Sequence, residues 1–309
     1  MPWAEACGGD DSAGFLTLPD RGGKIRAANG ICRVQGSFSL QEAIDSPLWP
    51  VVALALGLIV GSFANVCIHR LPLRQSVVKP RSRCPHCGAA ISAWDNVPLV
   101  SYVVLGGRCR HCRAGISMRY PLVEATNGAL YVALALQFGP TLRTVALMAF
   151  VTAMLVLSLI DLDHQILPNV ITLPGIAVGL AASLVPGPPT ALSAFIGAAG
   201  GYAACWFVAF GYRLYSRFLS REKEEREGLG QGDWKMTAMI GAFLGWDQML
   251  LTVLIASVAG TLVGFALIGF WGGSRKSKIP LGTFLGLAGI VVAFVGEPVT
   301  AWYRGFLHG

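Results

Sequence analysis

The stretch TVALMAFVTAMLVLSLIDLDHQILPN, Thr144 to Asn169, decides the fold. From Thr144 to Ile160 it carries no charge and is long enough to cross a bilayer, whose hydrocarbon core of roughly 30 Å takes about 20 residues as a helix. It then stops on Asp161, with Asp163 two residues further and Pro168 ahead of the next apolar run. A carboxylate where a membrane helix meets water is costly unless hydrated, paired or protonated, so it is a functional candidate by default. A second one stands in Gly230-Gln231-Gly232-Asp233-Trp234-Lys235, at the opening of another apolar run. Two carboxylates brought together can share one proton, which is the chemistry of an aspartyl protease.

Composition agrees with a membrane setting. The 309 residues are 54% hydrophobic and only 13% charged, against about 25% charged in a soluble domain. The chain is expected to be an all-α polytopic membrane protein with about eight transmembrane helices. Apolar stretches at Leu48 to Ile68, Pro121 to Phe138, Thr144 to Ile160, Val170 to Val185, Ala191 to Tyr212, Met236 to Trp246, Leu250 to Trp271 and Gly282 to Trp302 supply them, the sixth being short for a full span. Residues 1–46 are polar and glycine-rich with no apolar core of their own, so they read as a flexible tail rather than a signal peptide or span. The expected organisation is that tail, a first transmembrane helix over 47–68, a four-cysteine loop over 69–120, and a membrane-embedded catalytic domain over 121–309.

The net charge of +7 is gathered in a few loops, which the positive-inside rule explains better than nucleic-acid binding does. Between His69 and Tyr120 stand Arg70, Arg74, Lys79, Arg81, Arg83, Arg108, Arg110, Arg113 and Arg119 against one acid, Asp95, so this loop is expected to be cytoplasmic. Counting spans from there puts the Arg213 to Lys235 and Arg275 to Lys278 loops on the same side, together with both aspartates. Glycines spaced by four, Gly57 with Gly61, Gly197 with Gly201, Gly241 with Gly245, Gly260 with Gly264 and Gly282 with Gly286, predict close helix packing and identify no function.

Cys84-Pro85-His86-Cys87 and Cys109-Arg110-His111-Cys112 are two CxxC knuckles inside that loop. Four thiolates at this spacing suit one tetrahedral zinc ion, and a site closed by four protein ligands is structural rather than catalytic. The rivals are a pair of disulfides, which a reducing cytoplasm disfavours, and redox use, which lacks its βαβ setting. His86 and His111 then sit in the knuckle turns as bystanders. Cys67 and Cys205 lie in apolar helices as buried thiols, and Cys7 and Cys32 could pair if the tail meets an oxidising compartment.

Taken alone, Asp161 could merely cap the helix that starts near Pro168; the second carboxylate at Asp233 tips the balance toward function. Gly230 and Gly232 beside it admit unusual backbone angles and close approach of an extended peptide. Asp163 points to a different face if the segment is helical, and is secondary. Lys235 either lowers the pKa of a neighbouring carboxylate or snorkels to the headgroups. The sign-mixed run Arg221 to Glu227 suits a solvated helical extension, whose glutamates could attract a basic peptide.

At this point the ordered motifs resemble the type 4 prepilin peptidases of type IV pili and type II secretion. They are Gly57-x-x-x-Gly61-Ser62-Phe63-x-Asn65-Val66 with Arg70-Leu71-Pro72; Ser82-Arg83-Cys84-Pro85-x-Cys87; Asn96-x-Pro98; Gly107-Arg108-Cys109-Arg110-x-Cys112; Arg119-Tyr120-Pro121-x-Val123-Glu124; Ile160-Asp161-x-Asp163 with Leu167-Pro168; and Glu227-Gly228-x-Gly230-x-Gly232-Asp233-x-Lys235. The GxGD element alone is also shared by archaeal preflagellin peptidases and presenilin-like proteases. The resemblance implies that Asp161 and Asp233 are the catalytic pair, that prepilins and pseudopilins are the substrates, and that the enzyme sits in the bacterial inner membrane with its active site facing the cytoplasm. It also implies N-methylation of the new terminus from S-adenosylmethionine in many members; no glycine-rich nucleotide fingerprint marks such a site here. The chain departs from the family pattern at Gln231, in its long segment before Leu48, and in Ile279-Pro280-Leu281-Gly282-Thr283-Phe284, a loose version of a proline-phenylalanine-glycine-proline element.

The expected function is therefore a membrane aspartyl endopeptidase. The alternative is a proton-coupled transporter using the carboxylates as a relay, which calls for acids near the bilayer midplane and broken helices in matching halves. A zinc-stabilised scaffold explains the knuckles but not the aspartates.

Overall fold

A computed structural model describes residues 24–27, 30–33, 48–92, 94–219, 230–271 and 280–308. The chain divides into two compact units, Met1–Ser46 and Pro47–Gly309. In the first, β1 (Lys24–Ala27) and β2 (Gly30–Arg33) pair antiparallel, with Lys24 opposite Arg33 and Ala27 opposite Gly30. Cys7 and the run 221–227 lie outside the described residues, and with them the disulfide and the helical extension considered above.

The second unit is helical: α1 (Leu48–Arg70), α2 (Val100–Val104), α3 (Arg119–Phe138), α4 (Leu142–His164), α5 (Asn169–Ala182), α6 (Ala191–Leu219), α7 (Gln231–Leu244), α8 (Trp246–Trp271) and α9 (Leu281–His308). By length and composition, α1, α4, α6, α8 and α9 can cross a membrane, and α5 is a shorter apolar helix. The chain is thus a multi-pass membrane protein with five candidate spans among the described residues. The other helices fall short for physical reasons. α3 carries Arg119 and Glu124 in its first two turns, and α5 and α7 have 14 residues each, about 21 Å of helix.

Two helices form the centre. α4 has 61% of its apolar window buried, against 22–39% for the other long helices. On α7 every residue from Met236 to Leu244 is buried. Both candidate aspartates therefore sit on the elements that the rest of the molecule wraps. α4 starts on Thr141, whose hydroxyl accepts the Thr144 N–H at 3.0 Å, and stops at Gln165 in the left-handed region, φ 54°. α7 starts after Gly230 and stops at Gly245, φ +85°, where α8 follows at once.

Glycine contacts fix how closely the helices approach. A Cβ on Gly57 would lie 2.8 Å from Gly128 Cα, and one on Gly61 2.9 Å from Glu124 Cα, so α1 and α3 touch backbone to backbone. A Cβ on Gly241 would lie 2.2 Å from Gly197 C, which joins α7 to α6 in the same way. Gly245 both breaks the helix and packs closely, since a Cβ there would lie 2.6 Å from Ser193 Oγ and one on Gly197 2.8 Å from Gly245 C, whereas Gly260 meets Phe284 in ordinary contact at 3.5 Å. Where α1, α3 and α4 meet, buried Asn127 donates to the Gly57 carbonyl at 2.8 Å and accepts from the Thr152 hydroxyl at 2.8 Å. Such buried polar groups are tolerated because each is bonded.

Candidate active site and metal centre

Asp161 lies in the last turn of α4 and is 5% exposed. Its Oδ2 accepts the main-chain N–H of Thr283 at 2.7 Å and faces the Thr283 hydroxyl at 3.2 Å; that hydroxyl is also 3.1 Å from the Ser158 carbonyl. Thr283 belongs to the first turn of α9, where amides have no intrahelical acceptor and favour an anion. Gly282 comes closest of all: a Cβ there would lie 2.9 Å from both Cγ and Oδ2 of Asp161.

Asp233 lies in the first turn of α7 and is half-buried. The α7 start seats it close enough to Asp161 for the two charges to interact. Its N–H donates to the Gly230 carbonyl at 3.1 Å, and its own carbonyl accepts the Thr237 hydroxyl at 2.8 Å, so the turn is fixed at both ends. A Cβ on Gly232 would lie 2.8 Å from Leu167 Cβ, so this glycine lets α7 pack on the α4–α5 turn, while one on Gly230 would lie 3.5 Å from Asp233 Oδ2.

The supporting residues separate. Asp163 is on the exposed side of α4 and pairs with Arg119 of α3 at 2.5 Å. Lys235 donates to Asn169 Oδ1 at 2.9 Å, tying α7 to the start of α5. The structure brings in three residues that reading the sequence did not single out for the site: Gly282, Thr283 and Ser158. The departure from the proline-phenylalanine-glycine-proline pattern was the signal that could have found the first two.

The metal centre is built by a repeated turn. In the first knuckle Cys84 N–H donates to Ala89 O at 2.9 Å, Gly88 N–H to Cys84 O at 2.9 Å, and Arg83 bridges Ala90. In the second, Cys109 N–H donates to Ala114 O at 2.8 Å, Arg113 N–H to Cys109 O at 3.0 Å, and Arg108 bridges Gly115. Gly88 and Arg113 take the same left-handed position, φ 70° and 60°. The four sulfurs of Cys84, Cys87, Cys109 and Cys112 lie within 4.8 Å of one another, with Cys84 Sγ and Cys112 Sγ 3.8 Å apart. A tetrahedron with Zn–S of about 2.3 Å has edges of about 3.8 Å, whereas a disulfide closes to about 2.05 Å. The cluster can therefore hold a metal ion.

Its electrostatics suit a cation. The amides of Cys87 and His86 draw the Cys84 thiol down to about 6. The Cys112 thiol, despite the pull of the Ala114 amide, is pushed up to about 11 by desolvation and by the neighbouring thiols. One sulfur is thus a thiolate near neutrality and another resists becoming one until positive charge arrives. Arg110 holds Asp95 with contacts of 2.6–3.0 Å, keeps its carboxyl below the usual range and braces the second knuckle against the Trp94–Asn96 turn.

Residues 55–138 match the model of the Bacterial Peptidase A24 N-terminal domain, and residues 148–265 match that of the Type IV leader peptidase family. Among similar proteins are the prepilin leader peptidase/N-methyltransferases of Burkholderia pseudomallei, 37% identical over 85% of this chain and 91% of the relative, and of Stutzerimonas stutzeri, 37% identical over 82% and 93%. That of Myxococcus xanthus is 42% identical over 72% of this chain and 64% of its own length. No solved structure matches the chain. The two domain matches together hold both aspartates and all four clustered cysteines, and with this degree of identity the chain belongs to the type IV leader peptidase family.

Proposed function

We propose that this protein is an aspartyl endopeptidase of the bacterial inner membrane that removes the basic leader from type IV prepilins and pseudopilins, with Asp161 and Asp233 as its catalytic pair. The observation that carries the reading is the meeting of these two carboxylates from the two most enclosed helices at one end of the bundle. One carboxylate, ionised, takes a proton from an attacking water; the other, protonated, donates toward the scissile carbonyl oxygen. Thr283 and Gly282 hold Asp161 from the start of α9, Gly232 lets α7 pack on Leu167, and Gly230 keeps only ordinary contact distance to the Asp233 carboxylate. The relatives are leader peptidases, and a proton-coupled transporter draws no support from them.

The finer topology is part of the proposal: eight crossings, with α3, α5 and α7 completing the five long helices, and the aspartates facing the cytoplasm. The basic residues Arg70, Arg119 and Lys235 at the same end of the bundle support that orientation. Structural zinc on Cys84, Cys87, Cys109 and Cys112 would stiffen the 69–120 loop over the site. S-adenosylmethionine, when bound, would supply the electrophilic methyl group for the second activity that the relatives' names carry.

The test is leader cleavage by purified protein in detergent. Asp161→Asn and Asp233→Asn should each abolish it while inserting normally, because an amide cannot exchange the proton. Asp163→Asn should cost much less. Near wild-type cleavage by both amide variants would remove the aspartyl assignment.

A further inference from the structure

The turn that carries Asp161 also carries an ion pair that the proposed chemistry does not use. Asp163, in the last turn of α4, meets Arg119, the first residue of α3, at 2.5 Å. Each charge stands at the end of its own helix where the dipole disfavours it, an acid at the C-terminus of α4 and a base at the N-terminus of α3. Alone, either is unfavourable; facing each other, they cancel. With side chains 42% and 32% exposed, the pair adds little to overall stability. What it can fix is position.

Its neighbours set what is positioned. Asp161 lies two residues before Asp163, in a turn closed by the Gln165 N–H on the Asp161 carbonyl at 2.9 Å. α9 holds the Asp161 carboxylate through Thr283, and α3 holds the same turn through Arg119. On its other side, Arg119 follows Cys112 after only six residues. Those residues are tied down: the Ile116 N–H donates to the Gly107 carbonyl at 2.7 Å, and the Arg119 N–H to Ser117 Oγ at 3.3 Å. The start of α3 is also bonded to α1, where Asn65 donates to the Tyr120 carbonyl at 3.1 Å, and to the cysteine loop, where the Leu99 N–H donates to Glu124 at 2.9 Å.

We infer that Arg119 is a positioning residue for leader cleavage, carrying the order of the four-cysteine loop, through Asp163, to the turn that holds Asp161. This rests on the peptidase reading. It gives the metal centre an effect on the cut without any contact with the substrate: when the loop loosens, Arg119 releases the Asp161 turn.

The experiment combines cleavage kinetics, amide hydrogen exchange and thermal unfolding on the full-length protein in detergent. Arg119→Gln should lower kcat for prepilin cleavage about tenfold at unchanged KM, as expected for a misplaced reacting group. Amides of residues 161–165 should exchange about tenfold faster while those of 148–157 keep their wild-type rate, with the unfolding temperature unchanged. Arg119→Asp and Asp163→Arg should each be slow, and the two together should recover most of the rate, because the reversed charges still pair and each then suits its helix end. Cys112→Ser, which takes a ligand from the metal centre, should slow cleavage, and Cys112→Ser with Arg119→Gln should be no slower than the worse single variant. Wild-type kcat and exchange in Arg119→Gln, no recovery in the reversed pair, or losses that multiply in the Cys112→Ser combination would each overturn the inference. If Arg119→Gln does not fold, the reversed pair decides. A wild-type protein that cuts no prepilin removes the peptidase reading instead, and the exchange rates of 161–165 then decide whether Arg119 holds that turn.

Discussion

Three glycines on one face of α9 allow a graded test of how tightly Asp161 is held. At Gly282 a methyl group would arrive 2.9 Å from Cγ and Oδ2 of Asp161, where ordinary contact is 3.4–4 Å, so the carboxylate or the helix has to retreat by about half an ångström or more. Misplacement by about 1 Å can cost roughly a hundredfold in rate. Gly282→Ala is therefore expected to lower kcat for prepilin cleavage by about 10²-fold with little change in KM. At Gly286 the methyl group would lie 2.0 Å from Ser158 Oγ and 3.0 Å from the Met154 carbonyl, a conflict with α4 itself. Gly286→Ala should thus lower thermal stability, at about 1–3 kcal/mol for overpacking. At Gly289 the nearest atoms are 3.5 Å away, and Gly289→Ala should be silent in both assays. Cleavage kinetics and thermal unfolding of the three variants in the same detergent decide the matter. If Gly282→Ala cleaves at the wild-type rate while Gly286→Ala is destabilised, α9 does not position the carboxylate and the site geometry is wrong.

Thr283→Val removes a hydroxyl shared between Asp161 and Ser158, worth about 1 kcal/mol, and should slow cleavage about fivefold while Thr283→Ser stays near wild type; equal rates for both variants would exclude a role for the hydroxyl. Zinc should be retained at neutral pH and lost on acidification: the Cys84 thiolate, lowered to about 6, contributes above that value and loses its hold as pH falls through it. Metal analysis after dialysis at about pH 8 and about pH 5 checks this, and equal zinc at both would refute thiolate ligation. Cysteines placed at Gln165 and Gly187 in a thiol-free background should label from opposite faces, Gly187 alone in intact spheroplasts; the reverse pattern would invert the topology.

The aspartates and the knuckles were legible because each is a local pattern: a charge at the end of an apolar run, and thiols two residues apart. The fold was legible in class, and among the described residues five helices are long and apolar enough to cross a membrane where eight were expected. Trp246 was read as the end of one span and Leu250 as the start of the next, whereas the chain needs only Gly245 between α7 and α8, with Asp247 in the first turn of α8. Hydropathy also cannot see that α7 is enclosed on every side, since burial by protein and burial by lipid select the same residues. Thr283 and Gly282 escaped because they act from far along the chain on Asp161, Thr283 from 122 residues away, through an amide and a missing side chain that carry no chemical signature.

The brevity of α7 has a consequence for the membrane itself. Its 14 residues reach about 21 Å, some 9 Å short of a typical hydrocarbon core, and Gly245 sends the chain straight into the much longer α8. In the proposed orientation a shortfall on the Asp233 side would leave a depression in the cytoplasmic leaflet, where lipid thins or is replaced by water. A substrate helix could stay seated in the bilayer while its first residues tip into that depression, which places the cut where a hydrophobic segment begins rather than at any particular distance along the leader.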